Sequence, residues 1–351
     1  MFDVVIIGLG PAGSTLARLL AGRKVLCLDK KASRPGGFKK PCGGLLAPDA
    51  QKALARFDLT LPKSVLVDPQ LFSVRTLDLS TGLCRHYQRF YVNMDRDKFD
   101  RWLMSLIPSS AEVKEDAWVT DITRDADGAF TVTFVQNGQT QTARAKRVAG
   151  ADGADSLVRR TFFPAHQIRS YVAVQQWFKE MHKSPFYSCI FDPAQTDCYS
   201  WSVSKDGYFI FGGAYPAQDC RARFERQKQA LEKYGFQFGA PVKTEACRVL
   251  RPAGWNEFCL GEKGVFLIGE AAGLISPSSL EGISSALISA RRLAQSLGAE
   301  PGAEEHRRYA RGTFGLRVKL WGKLLKCPFM YRPFLRKYVM KSGVQSIRII
   351  R

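Results

Sequence analysis

The first thirty residues constrain this chain most. Asp3 to Ile7 is a short run rich in Val and Ile, and Gly8-Leu9-Gly10-Pro11-Ala12-Gly13 follows it directly. Ser14 to Leu20 reads as a helix, and Lys24 to Asp29 as a second strand that ends on an acid. Strand, Gly-x-Gly-x-x-Gly turn, helix and strand make the unit that holds a dinucleotide. Gly8 permits the tight turn, Gly10 lets the backbone approach a pyrophosphate, and Gly13 allows close helix packing. Pro11 and Ala12 open the helix, whose N-terminal amides face the phosphates. Asp29 is placed to accept hydrogen bonds from a ribose, with Lys30 beside it among the cofactor-binding residues. An acid there disfavours a 2′-phosphate, so the unit points to FAD or NAD rather than NADP.

Composition excludes several other classes. The 351 residues suffice for about two structural units and a sizeable core. With 45% apolar and 24% charged residues, disordered and collagen-like chains drop out. No run of 18 apolar residues predicts a spanning helix. The N-terminus lacks the basic start and cleavage site of a signal peptide, so a cytoplasmic location is expected, with peripheral attachment to the inner membrane face as its variant. Nine cysteines without a C-x-x-C pair argue against a disulfide framework and against zinc. His86, His166, His182 and His306 are scattered, and no metal is predicted.

The net charge of +20 is concentrated at one end. After Glu305 there is no acid, while residues 307–351 hold 13 Lys or Arg. Phe314, Val318, Trp321 and Leu325 fall on one helical face, and Pro328 is expected to end that helix. A second short helix is expected through Phe334, Leu335, Tyr338 and Val339. Either the stripe packs on the body and the charges are solvated, or the segment lies on an anionic membrane surface. Nucleic-acid binding ranks last, because no nucleic-acid motif accompanies the charge.

Further motifs resemble FAD-dependent reductases and monooxygenases built like p-hydroxybenzoate hydroxylase. Val148 to Arg159, with Asp152-Gly153, is similar to the family's Asp-Gly motif. Gly264 to Gly273 resembles its second FAD fingerprint, in which Glu270 replaces the usual Asp that binds the ribitol chain. Pro277 and Glu281-Gly282-Ile283 open a helix that, by this resemblance, aims its amides at the flavin pyrimidine edge. Leu280 stands where the family usually has Gly. Arg96 to Asp100 is similar to the Arg-x-x-Phe-Asp helix start, which places Arg96 near FAD. Ala111 to Ile122 is expected as the next strand, with Val119 near the adenine.

Two segments resemble the geranylgeranyl reductase branch. Lys40 to Leu46 is similar to its Cys-Gly-Gly loop, which implies that Cys42, Gly43 and Gly44 lie beside the isoalloxazine. Tyr199-Ser200-Trp201-Ser202-Val203-Ser204 resembles the Tyr-x-Trp-x-Phe-Pro strand that lines a substrate cavity, with Val203 and Ser204 departing from it. Alternation alone places Tyr199, Trp201 and Val203 on one face, an apolar wall suited to a polyprenyl chain. Cys42, Tyr199 and Trp201 are therefore the candidate catalytic residues, with Cys42 as proton donor or flavin-packing group. For each of the three, an ordinary core role competes.

The resemblance implies FAD-dependent reduction of carbon–carbon double bonds in a prenyl or other lipid-like substrate. The flavin would be reduced by NAD(P)H, ferredoxin or quinol. The alternative is a monooxygenase or halogenase acting through a peroxyflavin. A third reading is an FAD-retaining membrane or nucleic-acid binding protein.

The expected architecture is α/β: a Rossmann-type FAD-binding domain of residues 1–65, 92–160 and 255–300. An inserted antiparallel β-sheet substrate domain comprises 66–91 and 161–254, and 301–351 is a basic C-terminal helical segment. Gly212-Gly213 is expected to end or bulge a strand.

Overall fold

The computed structural model describes residues 1–32, 37–180 and 186–350, and every count and absence below refers to these residues. Five parallel strands run in the order Val265–Leu267, Val148–Gly150, Val4–Ile7, Val25–Leu28 and Glu112–Lys114. Val4–Ile7 and Val25–Leu28 are buried throughout, because a parallel strand covered on both faces has no solvent side. Alternation sends Val4 and Ile6 to one face, against Leu16, Leu293 and Tyr309 of the helices Pro11–Leu19, Ile283–Ser296 and Ala303–Gly322. Val5 and Ile7 meet Phe130, Val132 and Phe134 of a three-stranded antiparallel sheet on the other face. This is the Rossmann-type α/β unit expected.

The predicted strand from 111 to 122 is two. Glu112–Lys114 joins the parallel sheet, and Trp118–Arg124 starts the three-stranded one. Asp116 breaks the run with φ of 51°, and Ala117 N then donates to Asp29 O. That turn brings Ala117 to the end of the second parallel strand.

The larger sheet has nine strands. Its main path is Lys243–Leu250, Ser170–Lys179, Tyr208–Tyr215, Ser200–Lys205, Phe186–Phe191, Leu71–Asp78, Leu83–Asn93 and Ser346–Ile347. Leu45–Leu46 also pairs with Leu83–Asn93. It is not purely antiparallel, because Phe186–Phe191 and Leu71–Asp78 run parallel. Helix Cys220–Glu232 covers one face through Phe224 and Leu231. The other face carries Val74, Tyr187, Val203, Tyr199 and Trp201.

Gly212-Gly213 does not end a strand, because Tyr208–Tyr215 runs straight through it. Side-chain space explains the pair. A Cβ at Gly212 would lie 2.7 Å from Cε2 of Trp201, and one at Gly213 would lie 2.5 Å from both Ser200 Oγ and Tyr215 Oη.

The C-terminal segment also departs from expectation. Pro328 starts a helix, Cys327–Tyr331, in the first turn, where its missing N–H is no loss. The predicted second helix is Pro333–Ser342, and Ser346–Ile347 then adds a strand against Tyr87 and His86. The apolar stripe stays largely exposed, with the Phe314 ring against that of Trp255, centroids 5.7 Å apart, and the long helix buries Glu305, Tyr309, Thr313 and Leu320. Arg147 and Glu305, both almost fully buried, pair at 2.8 Å and bind this helix to the parallel sheet.

Candidate functional site

At the carboxyl ends of the central strands, Ala151 N donates to Ile7 O at 2.8 Å, so the first glycine turn and the Asp-Gly turn meet. Such a strand-end crevice is where open α/β sheets bind ligands. The glycines of the first turn divide their work. Gly8 has φ of 94°, and a Cβ there would be 2.7 Å from Ala151 O. A Cβ on Gly13 would be 1.8 Å from Gly8 O, so this residue seats the helix and does not line the cavity. A Cβ on Gly10 would meet no protein atom within 4 Å, and Gly10 lines the cavity. The fold itself sets no steric demand for glycine here.

One cavity of about 850 Å³ joins the remaining predicted positions. Gly8, Gly10, Pro11, Ala12, Asp29, Lys30 and Val119 line its dinucleotide end, and Cys42, Gly43, Gly44, Arg96, Asp152, Gly153, Glu270, Gly282, Ile283, Tyr199 and Trp201 line the rest.

Asp29 sits inside a buried chain of charges. Leu9 N and Lys31 N donate to it, and Lys31 Nζ reaches both Asp29 Oδ2 at 3.4 Å and Asp100 Oδ2 at 3.3 Å. Asp100 Oδ1 accepts from Arg96 Nε at 2.8 Å. Burial works against the Arg96 charge, but Asp100 and the Cys42 sulfur more than offset it and hold its pKa above the ordinary value. Lys31 and Asp100 were not expected at the site, although Asp100 closes the Arg-x-x-Phe-Asp motif. Lys30 lies over the Phe38 ring at 4.1 Å, a cation–π contact at the cavity wall.

Asp152 uses Oδ2 to cap the helix Leu157–Phe162, accepting from Leu157 N at 2.7 Å. Its Oδ1 is buried without a partner, and burial raises its pKa. Asp152 as a residue lines the cavity next to Gly153. Arg159 donates to Ala154 O and Ala271 O, both at 2.6 Å, and bolts the Asp-Gly turn to the second fingerprint.

Glu270 has partners that the usual Asp could not reach with one methylene fewer. Its Oε1 accepts from Leu250 N at 3.0 Å, and Oε2 lies 3.4 Å from Lys40 Nζ, whose pKa it raises. At the helix Ile283–Ser296, Glu281 takes the Ser284 amide at 2.8 Å, leaving those of Gly282 and Ile283 at the cavity. Leu280 holds φ of 52°, in the left-handed region that favours Gly, and packs with Ile275, Val249 and Ala214.

The far end of the cavity is aromatic. Tyr199 and Trp201 have ring centroids 6.0 Å apart, and Tyr91 and Tyr187 5.6 Å. Tyr199 donates to Ser279 O at 2.7 Å. Burial holds the phenols of Tyr187 and Tyr199 well above their ordinary pKa, so they stay neutral. The Trp201 indole lies against Gly212 and Gly43, and its buried Nε1–H has no partner. Gly212→Ala is expected to lower the unfolding free energy by about 1–3 kcal/mol through that clash. In a Trp201→Leu background the loss should disappear, and urea unfolding of the four proteins in the cycle checks it. Equal losses in both backgrounds would mean that Gly212 does not seat Trp201.

Lys205 and Cys247 also escaped sequence reasoning. Lys205 Nζ donates to Gly44 O at 2.9 Å, Asn93 Oδ1 at 2.6 Å and Met94 O at 2.6 Å, clamping the Cys-Gly-Gly loop to the larger sheet. Cys247 lines the cavity beside Pro41, and burial pushes its thiol up to about 11. Neither lies in a motif that marks it. No group of three His, Cys, Asp or Glu could hold a metal ion, and His182 lies outside the described residues.

The site fits FAD on two counts: the bare Gly10 and the helix N-termini at Pro11 and Ile283 that border the cavity. Gly10, Asp152 and the amides at Gly282 and Ile283 would hold it, and bound FAD would supply hydride chemistry.

Comparisons with known proteins agree. The FAD binding domain family model matches residues 87–307. Protein CbrA of Escherichia coli O6:H1 is 55% identical over 348 residues, which are 99% of this chain and 94% of the relative. A geranylgeranyl bacteriochlorophyll reductase-like protein from Thermoplasma acidophilum superposes with a TM-score of 0.71 at 22% identity, covering 98% of this chain and 87% of that one. p-Nitrophenol 4-monooxygenase from Pseudomonas putida gives 0.71 at 16% identity, covering 99% of each chain. These structures share the fold. The chain belongs to the FAD binding domain family, as an FAD-dependent oxidoreductase that is similar to CbrA over 99% of its length.

Proposed function

We propose that this flavoprotein reduces carbon–carbon double bonds in a prenyl or other lipid-like substrate. The observation that carries the reading is the aromatic end of the cavity, where Tyr91, Tyr187, Tyr199 and Trp201 stand beside the Cys42 loop. A chain bound there is held mainly by apolar burial, about 25 cal/mol per Å² of apolar surface.

Reduced FAD would supply the hydride, and the protein supplies the proton and the orientation. Cys42 Sγ–H donates that proton to the neighbouring alkene carbon and recovers it from solvent. Gly44 N donates to Cys42 Sγ at 3.3 Å, and the Arg96 charge interacts with the same sulfur, so the sulfur's position is set from two sides. Trp201 and Tyr199 align the chain, and Tyr199 is itself tied to Ser279 O.

The experiment reduces the purified flavoprotein anaerobically, then adds either a polyprenyl lipid or O2. Rapid reoxidation by the lipid, with saturated product, is expected. Cys42→Ser should retain flavin and slow that step by about 10²–10⁴-fold, the range of general acid–base catalysis. Full alkene reduction by Cys42→Ser would remove Cys42 from the mechanism. Flavin indifferent to lipid but consuming O2 in step with a substrate would replace the reductase reading with the oxygen-using one. No substrate-stimulated turnover at all would favour a binding protein.

A further inference from the structure

The C-terminal helices expose a face that the cavity does not use. Phe314, Val318, Trp321 and Leu325 are 56, 41, 46 and 70% exposed, and Phe329 and Phe334, on the two helices that follow, are 54 and 66% exposed. Scattered apolar side chains on a surface are ordinary, but a row at helical spacing marks an interaction site.

The charge around the row identifies the partner. Lys326, Arg332, Lys337 and Lys341 are exposed, and none makes an ion pair with a described residue. No acid follows Glu305, so these four charges have no compensating acid within the segment itself. No helix among the described residues is long and apolar enough to cross a membrane. Apolar side chains interleaved with free cations suit an element lying in the surface of an anionic bilayer, rings among the acyl chains and cations at the headgroups. A nucleic-acid backbone would match the cations but would leave Leu325 and Phe329 in water.

The face is anchored rather than loose. Lys319 and Lys323 reach Asp49 at 2.9 and 3.4 Å, and Arg336 reaches Asp78 at 2.8 Å. Tyr331 donates to Ser278 O, the carbonyl next to the one that Tyr199 uses. The segment therefore buttresses the wall of the aromatic cavity.

We propose that the exposed face of residues 314–341 docks the protein on an anionic lipid surface. The inference rests on this surface and not on the reaction.

The test is co-sedimentation of the FAD-loaded full chain with vesicles of phosphatidylcholine alone or of equimolar phosphatidylcholine and phosphatidylglycerol. Binding to the mixed vesicles only is expected, weakening as salt rises to about 0.15 M. Trp321→Glu with Leu325→Glu should lower that binding at least about tenfold by removing buried apolar area. Lys337→Glu with Lys341→Glu should lower it by a similar factor and flatten the salt dependence. All four positions are exposed, and unchanged flavin content confirms that each variant is folded. Indifference of the wild type to vesicles, or equal binding by wild type and both variants, would overturn the proposal. So would a concentration-dependent dimer abolished by Trp321→Glu with Leu325→Glu, or a preference for duplex DNA over mixed vesicles. Because partition is read without turnover, failure of the reductase reading would leave this result standing.

Discussion

Gly10→Ala is expected to fold like the wild type and bind FAD about ten- to a hundredfold more weakly, whereas Gly13→Ala should be destabilised whether or not flavin is present. The two glycines sit three residues apart in one motif, yet their surroundings differ. At Gly10 the backbone is extended, with φ of −74° and ψ of −169°, which any residue adopts. A methyl there meets no protein atom and enters the cavity, so only the ligand is obstructed. At Gly13 the methyl would be 1.8 Å from Gly8 O, a backbone atom of the turn that cannot rotate away as a side chain could. The helix must move off the strand end, for about 3 kcal/mol of lost stability. Thermal melting of the apoproteins and FAD titration by flavin fluorescence separate the two effects. Wild-type FAD affinity in Gly10→Ala would mean that no pyrophosphate approaches this residue.

The second large effect concerns Lys205. Its ammonium is buried with three neutral oxygens and no carboxylate, and burial lowers its pKa to about 8. In the unfolded chain a lysine titrates near about 10.4. Between these values the unfolded chain binds more protons than the folded one, so this group makes stability rise with pH. The penalty is fully present below about pH 8 and relieved by about pH 10.4, for at most about 3 kcal/mol. Buried tyrosines and cysteines with raised pKa values act in the opposite direction. The comparison with Lys205→Met isolates the lysine. From about pH 8 to 10.4 the wild type should gain up to about 3 kcal/mol relative to the variant. A constant difference across that window would show that Lys205 keeps an ordinary pKa. At neutral pH the variant also loses the clamp on Gly44 O, and faster alkylation of Cys42, followed by peptide mass spectrometry, is the expected sign.

Legibility in the sequence followed the range of the interactions. The dinucleotide unit could be read because its parts are contiguous: alternation buries Val4–Ile7 on both faces, and three glycines meet local steric demands. The Asp-Gly turn and the second fingerprint could be read as motifs for the same reason. Their convergence on one cavity could only be expected by resemblance. The misreadings arose where a local signal met a tertiary neighbour. Gly212-Gly213 looks like a strand end from its own composition, but the Trp201 ring makes it a strand interior. For the stripe from Phe314 to Leu325 the sequence left a packed and a membrane-surface reading open, and it could not show that Tyr309, Thr313 and Leu320 take the buried positions of that helix.

The sequence by itself determined the Rossmann-type unit, a dinucleotide cofactor of the FAD or NAD kind and the basic C-terminal end, because short-range periodicity, glycine spacing and net charge need no partner elsewhere. The choice of FAD was implied by the resemblance of the later motifs. Tertiary structure alone decided which polar groups support the site. Lys31 bridges Asp29 and Asp100, and Lys205 reaches Gly44 across 161 positions of chain. Pairings of that range depend on sheet order and register, because a one-residue slip would turn Lys205 to the opposite face of its strand.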